Sequence, residues 1–367
     1  MRAALLESPN QDLTIVDDVE LDDPHAGEVL VRVHHCGVCH SDLHVIDGSL
    51  PAPMPIILGH EAGGVVEAIG PGVTEVAPGD KVILTLRPPC GRCYWCVRGE
   101  WSQCAPAAAL TAGQFADGAT RLTRGGEVVH RALVVLAAFA ERTVVPVSAA
   151  VKVPEDTPLD IAAVIGCAVQ TGVGAVVNTA RVQAGDTVAV IGLGGIGISV
   201  VQGARIAGAS RIIGVDSVES RRQQAERFGV TDAVDPDLGD VGGRIRSLTD
   251  GIGVDHAFEA VGRAALIETA LDATRTGGTT VIVGVPGLAD MLNLHALTFW
   301  STTKTLKGTF LGDANPHRDF ARLLSLWRAG RLDLEGMVTA HRPLAEINEA
   351  LADMKAGVGL RTVLEIG

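Results

Sequence analysis

Four cysteines lie within one short stretch of the 367-residue chain. Cys90, Cys93, Cys96 and Cys104 follow the pattern Cys-x2-Cys-x2-Cys-x7-Cys among proline, glycine and arginine residues. Spacing this close lets a short lobe, about residues 88–106, wrap one tetrahedral ion, and four thiolates in a closed site are typical of structural zinc. Two disulfides or unligated thiols are the alternative. The pattern predicts a structural zinc site, which we call the four-cysteine lobe.

The remaining cysteines are Cys36, Cys39 and Cys167. The odd total argues against a disulfide framework. Cys36 and Cys39 have the spacing of a thioredoxin-like redox pair, but they follow an alternating strand, 29–33, instead of opening a helix. Cys36 alone is most simply a buried apolar residue. Two cysteines and a histidine, here His60, form the ligand set of a catalytic zinc with an open fourth position. Spacing alone does not join Cys167 to the others.

A glycine-rich turn, Gly192–Gly197, has the pattern Gly-x-Gly-x-x-Gly. It directly follows an apolar run, 187–191, and opens a predicted helix over 195–207. In this context the glycines allow a tight turn and close approach of a pyrophosphate to the helix N-terminus. Asp216 ends the next predicted strand, where a carboxylate accepts a hydrogen bond from a ribose 2′-hydroxyl and repels a 2′-phosphate. The sequence predicts NAD binding, with a nucleotide-free glycine turn as the alternative.

The order of predicted elements separates two regions. Residues up to about 168 contain short, glycine-broken strands at 28–33, 63–68 and 81–84. Strands and helices then alternate: strands at 187–191, 211–215, 254–259 and 280–285, and helices at 195–207 and 219–228. Helices at 317–329 and 344–356 precede a final strand at 361–366. This alternation predicts an α/β fold with a doubly wound parallel sheet.

Length and composition set the broad class. A chain of 367 residues is longer than a single hydrophobic core usually organises, so we expect two domains. A hydrophobic fraction of 47% is ordinary for a globular protein, and the net charge of −13 argues against nucleic acid or anionic membranes as partners. Residues 161–180 are uncharged over a membrane-spanning length, but polar residues and glycines interrupt them. With no signal peptide at the start, we predict a buried segment and a cytoplasmic protein.

These patterns resemble the zinc-dependent alcohol dehydrogenases of the medium-chain dehydrogenase/reductase superfamily over essentially the whole chain. The matching stretches are Gly37–Asp42, Gly59–Gly64, the four-cysteine lobe, Gly192–Gly197 and Val283–Pro286. The resemblance implies a GroES-like, β-rich catalytic domain over 1–168 and 311–367. It also implies an inserted Rossmann domain, over 169–310, that binds NAD.

The resemblance also assigns the catalytic site. It implies that Cys39, His60 and Cys167 bind the catalytic zinc, with Glu61 behind the metal and able to bind it transiently. Three further roles are implied for side chains near Cys39: Asp42 hydrogen-bonds a ligand histidine, Ser41 hydrogen-bonds the alcohol, and His44 passes the proton to solvent. An aspartate in a surface turn and an ordinary, partly buried histidine are the alternatives for Asp42 and His44.

For the cofactor, the resemblance implies that Thr171 and Ile196 meet the nicotinamide. His40 and Arg361 would contact the pyrophosphate and Arg221 the adenosine ribose, with solvated charge as the alternative for these three. The full implied set of cofactor contacts is His40, Thr171, Gly192, Gly194, Gly195, Ile196, Gly197, Asp216, Arg221, Val283, Val285 and Arg361.

The implied activity is reversible hydride transfer from a primary or secondary alcohol to NAD, with two zinc ions per chain. The implied pocket lining is apolar: Leu50, Leu86, Ala108, Leu133, Val134, Val285 and Phe310. Relatives that oxidise S-hydroxymethylglutathione carry an acid and an arginine where this chain has Leu50 and Ala108, so the apolar lining favours a neutral alcohol. Oxidation of S-hydroxymethylglutathione is the alternative activity. A non-catalytic zinc- or nucleotide-binding protein is a remote alternative. The long segment between Cys104 and Cys167 resembles dimeric members, which predicts a homodimer.

Overall fold

The structure is a computed structural model that describes residues 1–109, 113–131 and 135–367, with backbone alone at 108 and 109. The chain forms two compact units. The first contains Met1–Cys167, Asn315–Ser325 and Leu334–Gly367, and the second contains Ala168–Ala314 and Leu326–Asp333.

The unit boundaries differ from the predicted domain ranges at the return of the chain. The first unit resumes at Asn315, where the sequence analysis placed the change at 311, and residues 326–333 lie with the second unit. Hydrogen bonds explain the second difference. Asp333 N donates to Gln202 Oε1 (2.7 Å), and Arg227 forms an ion pair with Asp333 (2.7 Å). Both partners belong to the second unit.

The first unit is rich in short strands. We number elements in chain order over the whole protein. Its strands are β1 (Ala3–Leu6), β2 (Thr14–Val16), β3 (Val19–Leu21), β4 (Glu28–Gly37), β5 (Ile56–Ile57), β6 (Glu61–Ile69), β7 (Lys81–Leu84), β8 (Leu122–Arg124), β9 (Glu127–Val128), β10 (His130–Arg131), β11 (Arg142–Pro146), β12 (Ala150–Lys152), β19 (Val338–Pro343) and β20 (Arg361–Glu365). Its helices are α1 (His40–Ile46), α2 (Tyr94–Val97), α3 (Ala105–Ala109), α4 (Leu159–Val164) and α12 (Ile347–Lys355), while α11 (Pro316–Arg328) ends in the second unit.

The main sheet of the first unit follows the order β12-β7-β6-β4-β20-β19, and β11 also pairs with β4. Strands β4 and β6 are antiparallel, and their pairing runs from Val29 opposite Ile69 to Gly37 opposite Glu61. The predicted strand over 28–33 therefore extends to Gly37, because β20 also pairs with this end of β4. Smaller sheets follow the orders β10-β5-β1-β2 and β3-β8-β9.

The second unit carries the parallel sheet. Its strands are β13 (Thr187–Ile191), β14 (Arg211–Val215), β15 (Asp232–Val234), β16 (Val254–Glu259), β17 (Thr274–Ile282) and β18 (Thr305–Gly308). Its helices are α5 (Gln170–Gly174), α6 (Gly195–Ala207), α7 (Glu219–Phe228), α8 (Val241–Ser247), α9 (Ala264–Ala273) and α10 (Ala296–Thr302). The strands pair in parallel in the order β15-β14-β13-β16-β17-β18. The second unit has this doubly wound sheet and the first unit is β-rich, which confirms the predicted fold class.

Most predicted elements of the second unit have the predicted bounds, but the strand predicted over 280–285 does not. Strand β17 begins at Thr274 and ends at Ile282. Beyond it, Val283 N and Gly284 N both donate to the carbonyl of Glu259 (2.8 and 3.0 Å). These bonds turn the chain out of the ladder, so Val283 and Val285 lie in a loop.

One helical stretch, Leu159–Ala180, is long and apolar enough to cross a membrane by length and composition. It consists of α4, a π-helical segment (Ile165–Val169), α5 and a second π-helical segment (Ala175–Ala180). The most apolar 18-residue window of this helix is 89% buried inside the protein. The core helix of a globular protein has the same properties.

Candidate active site

The pairing of β4 with β6 brings two parts of the site together. Strand β4 ends at Gly37, just before Cys39, and β6 begins at Glu61, directly after His60. Because the two strands are antiparallel and Gly37 lies opposite Glu61, the end of one strand and the start of the other meet at the same edge of the sheet. The sheet register therefore sets Cys39 beside His60 and Glu61.

Cys167 reaches the same edge on a helix. It lies in the π-helical segment that continues α4, and such segments are frequent at functional sites. Two glycines allow the helix to come close to the sheet. A Cβ at Gly63 would lie 2.4 Å from the carbonyl oxygen of Leu159, and one at Gly166 would lie 2.8 Å from that of Leu84. Larger side chains at these positions would move Cys167 away from the sheet.

We call Cys39, His60, Glu61 and Cys167 the mixed cluster. One ligand atom from each residue lies within 4.8 Å of all the others, and all four residues are buried. His60 Nδ1 is hydrogen-bonded to Asp42 Oδ1 (3.1 Å), while the buried Nε2 has no hydrogen-bond partner among the described residues. Two thiols and one imidazole nitrogen left free by a carboxylate on the opposite nitrogen are the donors that zinc prefers. The residues present therefore fit a catalytic zinc.

Three groups of the mixed cluster have pKa values far from their usual ones. A hydrogen bond from Cys167 lowers the pKa of the Cys39 thiol well below its usual value, and the same bond raises the pKa of Cys167. Burial alone would lower the pKa of His60, but the negative charges of Asp42 and Cys39 raise it well above its usual value. Negative charge is thus concentrated at a buried point, an environment that favours a bound cation.

Arg361 belongs to this site. It lies at the start of β20 and is 5% exposed. Its Nη1 donates to the carbonyl of Val38 (3.0 Å) and its Nη2 donates to Glu61 Oε1 (2.8 Å). The pair with Glu61 was not predicted from the sequence, since the two residues are 300 positions apart and no spacing pattern links them. The predicted contact of Arg361 with a pyrophosphate stays a prediction.

Helix α1 carries the residues predicted to handle the proton. Ser41 Oγ lies 3.8 Å from Cys39 Sγ. His44 Nδ1 is hydrogen-bonded to Ser49 Oγ (3.1 Å), and Ser49 Oγ donates to the exposed carboxylate of Asp47 (2.6 Å). His44 is therefore connected to the protein surface through hydroxyl and carboxyl groups.

Asp42 and His40, two other residues of α1, differ in their exposure to solvent. Asp42 is fully buried, and its Oδ1 accepts from Gly59 N (3.1 Å) as well as from His60, so it is not a surface aspartate. His40, at the start of α1, is exposed.

The four-cysteine lobe forms a second cluster in the first unit. One sulfur from each of its cysteines lies within 4.8 Å of the others, and all seven cysteines are free thiols. Cys90 N donates to Cys104 Sγ (3.3 Å). A hydrogen bond from the backbone of Cys96 lowers the pKa of Cys93 to about 6, whereas burial raises the pKa of Cys96 to about 12. A cluster of four cysteine sulfurs matches the donor set of a closed structural zinc site.

Cys36 lies outside both clusters. It is fully buried in β4, and burial raises the pKa of its thiol well above the usual value. A redox pair needs an accessible, low-pKa thiol at the start of a helix. The structure supports the interpretation of Cys36 as a buried apolar residue.

In the second unit, the glycine-rich turn has the geometry that its sequence requires. Gly192 has φ of +94°, and a Cβ at Gly197 would lie 1.8 Å from the carbonyl oxygen of Gly192. A Cβ at Gly194, by contrast, would have no neighbouring atom within 4 Å, so the turn is open there. The N-terminus of α6 follows, with N–H groups that attract an anion.

Asp216 is held against this turn. Its Oδ2 accepts from Leu193 N (2.8 Å) and its Oδ1 accepts from Val218 N (2.9 Å). Arg221 Nη1 lies 3.9 Å from Asp216 Oδ2. Thr171, also in this unit, is 6% exposed, and no described residue is hydrogen-bonded to its Oγ1. Each carboxylate oxygen of Asp216 retains acceptor capacity for a ribose hydroxyl.

The remaining predicted contacts are distributed between the units. Leu50 and Leu86 are in the first unit, whereas Ile196, Val283, Val285 and Phe310 are in the second. Val283 is buried and Val285 is 51% exposed. Leu133 and Val134 lie outside the described residues, and Ala108 is described in its backbone alone.

Two family models match the chain. One, described as alcohol dehydrogenase GroES-like domain, matches residues 25–155, and the other, described as zinc-binding dehydrogenase, matches residues 195–328. An NDMA-dependent alcohol dehydrogenase from Amycolatopsis methanolica is 39% identical, over 99% of this chain and 98% of its own. The chain belongs to the zinc-dependent alcohol dehydrogenases of the medium-chain dehydrogenase/reductase superfamily. The protein is thus an oxidoreductase acting on alcohols.

Two solved structures of similar dehydrogenases agree with this family. The benzyl alcohol dehydrogenase from Acinetobacter calcoaceticus is 31% identical with a TM-score of 0.94, over 100% of this chain and 99% of its own. A protein from Sinorhizobium meliloti 1021, described as a zinc-binding dehydrogenase and bound to NADP, is 28% identical with a TM-score of 0.81, over 99% of this chain and 98% of its own. Zinc and a nicotinamide cofactor are the groups that the family uses.

Proposed function

We propose that this alcohol dehydrogenase transfers a hydride reversibly from a neutral primary or secondary alcohol to NAD, and that it holds one catalytic and one structural zinc ion per chain. The observation that carries the proposal is the mixed cluster. Four buried ligand groups converge within 4.8 Å, and Asp42 orients His60 so that one ring nitrogen is free for a metal. When bound, zinc polarises the alcohol oxygen and NAD accepts the hydride.

The chain's own residues would manage the proton. Ser41, next to Cys39, is positioned to hold the proton of the alcohol hydroxyl at its Oγ. His44, Ser49 and Asp47 form a hydrogen-bonded series that ends at an exposed carboxylate. Proton exchange between His44 Nδ1 and solvent through Ser49 Oγ would use this series.

Metal analysis tests the zinc content. Two clusters, the mixed cluster and the four-cysteine lobe, each offer a complete donor set. We expect about two zinc ions per chain in the purified protein, since each set matches a known class of zinc site. A content near one would remove one of the two proposed sites.

The choice of NAD over NADP rests on Asp216. Its carboxylate accepts hydrogen bonds from Leu193 N, in the glycine-rich turn, and from Val218 N. A 2′-phosphate at this position would meet a negative charge. Saturation curves with NAD and NADP test this proposal, and we expect a preference for NAD. An equal or better response to NADP would contradict it.

A second candidate concerns the electron acceptor. The relative from Amycolatopsis methanolica is NDMA-dependent, and its similarity spans 99% of this chain. The two candidates differ in whether NADH is released at each turnover. Turnover of alcohol with NDMA but without added NAD, and no NADH accumulation with NAD, would favour the NDMA-dependent reaction.

The substrate class is tested by a panel of alcohols and aldehydes, with and without glutathione, followed by NADH absorbance. Leu50 stands where relatives acting on S-hydroxymethylglutathione carry a charged residue, so we propose a neutral substrate. Turnover of the glutathione–formaldehyde adduct without turnover of simple alcohols would overturn this proposal. Cytoplasmic localisation stays a prediction.

We also propose a homodimer, as the sequence analysis predicts. Val285, Leu288, Met291, Leu297 and Trp300 are each more than half exposed, and they precede β18, the outer strand of the second unit's sheet in the described chain. Apolar exposure of this extent marks a protein interface. Light scattering on Leu297→Glu should give a monomer. A matched change at an exposed leucine elsewhere in the same unit, Leu238→Glu, should leave the dimer intact.

A further inference from the structure

We propose that Arg361 holds the Glu61 carboxylate away from the catalytic metal and so keeps one coordination position open for substrate. Arg361 is then a positioning residue, acting through Glu61. This inference rests on the catalytic zinc of the proposed function.

Glu61 is close enough to be a ligand itself. Its carboxylate is one of the groups of the mixed cluster that lie within 4.8 Å of one another. The two oxygens differ in their surroundings. Oε1 accepts from Arg361 Nη2 (2.8 Å), whereas Oε2 is buried without a hydrogen-bond partner in the part of the chain that the structure describes. A buried carboxylate oxygen that accepts no hydrogen bond is energetically costly, and binding to a cation would reduce this cost.

The position of Arg361 is fixed by the same strands that place the ligands. Strand β20 pairs with β4, with Val363 opposite Gly37, and Arg361 Nη1 donates to the carbonyl of Val38, the residue before Cys39. Arg361 Nη2 also lies 4.0 Å from Cys39 Sγ. The guanidinium therefore joins the backbone beside one metal ligand to the carboxylate of Glu61, and it has little freedom to move.

The space for the carboxylate comes from a glycine. A Cβ at Gly37 would lie 2.3 Å from Glu61 Oε2. The carboxylate consequently occupies room that only glycine leaves at this position of β4. Because this space is closed to larger side chains and Oε1 is bound to Arg361, the observed position of Glu61 is specified from two sides.

Charge balance explains why Arg361 matters. With metal bound, the thiolates of Cys39 and Cys167 and the carboxylates of Asp42 and Glu61 would all be negative and buried. A divalent ion compensates two of these charges and Arg361 a third. Without the guanidinium, the buried carboxylate of Glu61 would have the metal as its nearest cation. An uncompensated buried charge is costly, so Glu61 would move onto the metal and fill the open position.

The test uses enzyme in which cobalt(II) replaces zinc, without NAD, titrated with imidazole as an added ligand. Imidazole shifts the visible absorption of cobalt where a coordination position is open, and the closed four-cysteine lobe does not respond. Arg361→Met removes the charge and the donors at similar side-chain length. We expect it to weaken imidazole binding by about 10-fold or more, the lower range for loss of a residue that orients a metal ligand.

A double variant separates this role from a general loss of structure. In Arg361→Met/Glu61→Gln the carboxylate that would close the site is absent, so we expect imidazole affinity to return to within about threefold of the unsubstituted enzyme. The matched control is Arg342→Met. Arg342 lies on the neighbouring strand β19 and also bridges two acids, Glu346 (2.8 Å) and Asp353 (2.6 Å), neither of which belongs to the mixed cluster. It should leave imidazole binding unchanged.

Two results would overturn the role of Arg361: unchanged imidazole affinity in Arg361→Met, or a loss that the double variant does not restore. If Arg361→Met does not fold, Arg361→Gln, which also lacks the charge, is judged by the same two results. Failure of the unsubstituted enzyme to bind cobalt at the mixed cluster would instead overturn the proposed function, so the two failures are distinguishable.

Discussion

The four-cysteine lobe and the mixed cluster use similar side chains, but the chain supplies them in opposite ways. All ligands of the lobe come from one short segment, between Cys90 and Cys104. The mixed cluster collects Cys39, His60 and Cys167 from two strand ends and a helix. A local site needs little beyond its own loop, whereas an assembled site depends on the register of a whole sheet. Substitutions in the two sites should therefore have different consequences.

The largest effect is expected from Cys39→Ala. Loss of one of three protein ligands should remove the catalytic zinc and reduce turnover by about 10⁴-fold or more, since the metal supplies several kcal/mol of stabilisation to the reaction. NAD affinity, measured by NADH fluorescence titration, should stay largely intact because the glycine-rich turn is in the second unit.

Cys36→Ala is the matched control for this change. Cys36 is a buried cysteine in β4 that belongs to neither cluster, so its loss should leave the metal content unchanged. A parallel loss of NAD affinity in Cys39→Ala would contradict the assignment of the two functions to separate units.

The next effect is on stability and comes from Cys104→Ala. Removing a buried thiolate ligand should release the structural zinc, and we expect the free energy of unfolding to fall by several kcal/mol because metal binding contributes directly to folding. Denaturant unfolding and metal analysis measure the two changes. The catalytic zinc should be retained. Release of both metal ions would show that the two sites are coupled.

A smaller effect is expected from Asp42→Asn. The carboxylate of Asp42 fixes His60 through Nδ1, so its replacement should weaken zinc binding at the mixed cluster by about 10- to 100-fold. Competition with a chelator gives the affinity. Asp18→Asn, at an exposed aspartate of the same unit, is the control and should show the affinity of the unsubstituted enzyme. Equal affinity in the two variants would remove Asp42 from the metal site.

The smallest effect concerns thiol reactivity in the metal-depleted enzyme. Cys93 is half-buried and a backbone hydrogen bond lowers its pKa to about 6, so it should be alkylated faster than the fully buried Cys36. The reactive thiolate is lost as pH falls through this pKa, which predicts about a tenfold slower reaction at about pH 5 than at about pH 7. Mass spectrometry of modified peptides measures both rates. Faster labelling of Cys36 would contradict both the burial of Cys36 and the lowered pKa of Cys93.

The contrast between the sites also explains what the sequence could predict. The spacing of the four cysteines predicts that they share one site, and the structure places their sulfurs within 4.8 Å of one another, while the zinc itself stays a prediction. The parallel strands of the second unit are apolar runs between glycines, and the bounds of β13, β14 and β16 are those predicted. Both features depend on local patterns, which a sequence records directly.

Features that depend on distant partners were not predictable in this way. Cys167 was joined to the mixed cluster by family resemblance alone, and the pair of Arg361 with Glu61 was missed. Strand β4 is four residues longer than predicted because β6 and β20 extend its pairing to Gly37. Register and long-range contacts of this kind are set by the assembled sheet.

The pairing of β20 with β4 has a consequence for the order in which the enzyme matures during translation. Once the ribosome has released Cys104, every ligand of the four-cysteine lobe is available and zinc can be captured there. The mixed cluster has all its ligands only after Cys167, and the guanidinium that faces Glu61 arrives with Arg361. The proposed structural zinc could therefore bind to the lobe early, while the mixed cluster acquires its final surroundings only after Arg361 has been made.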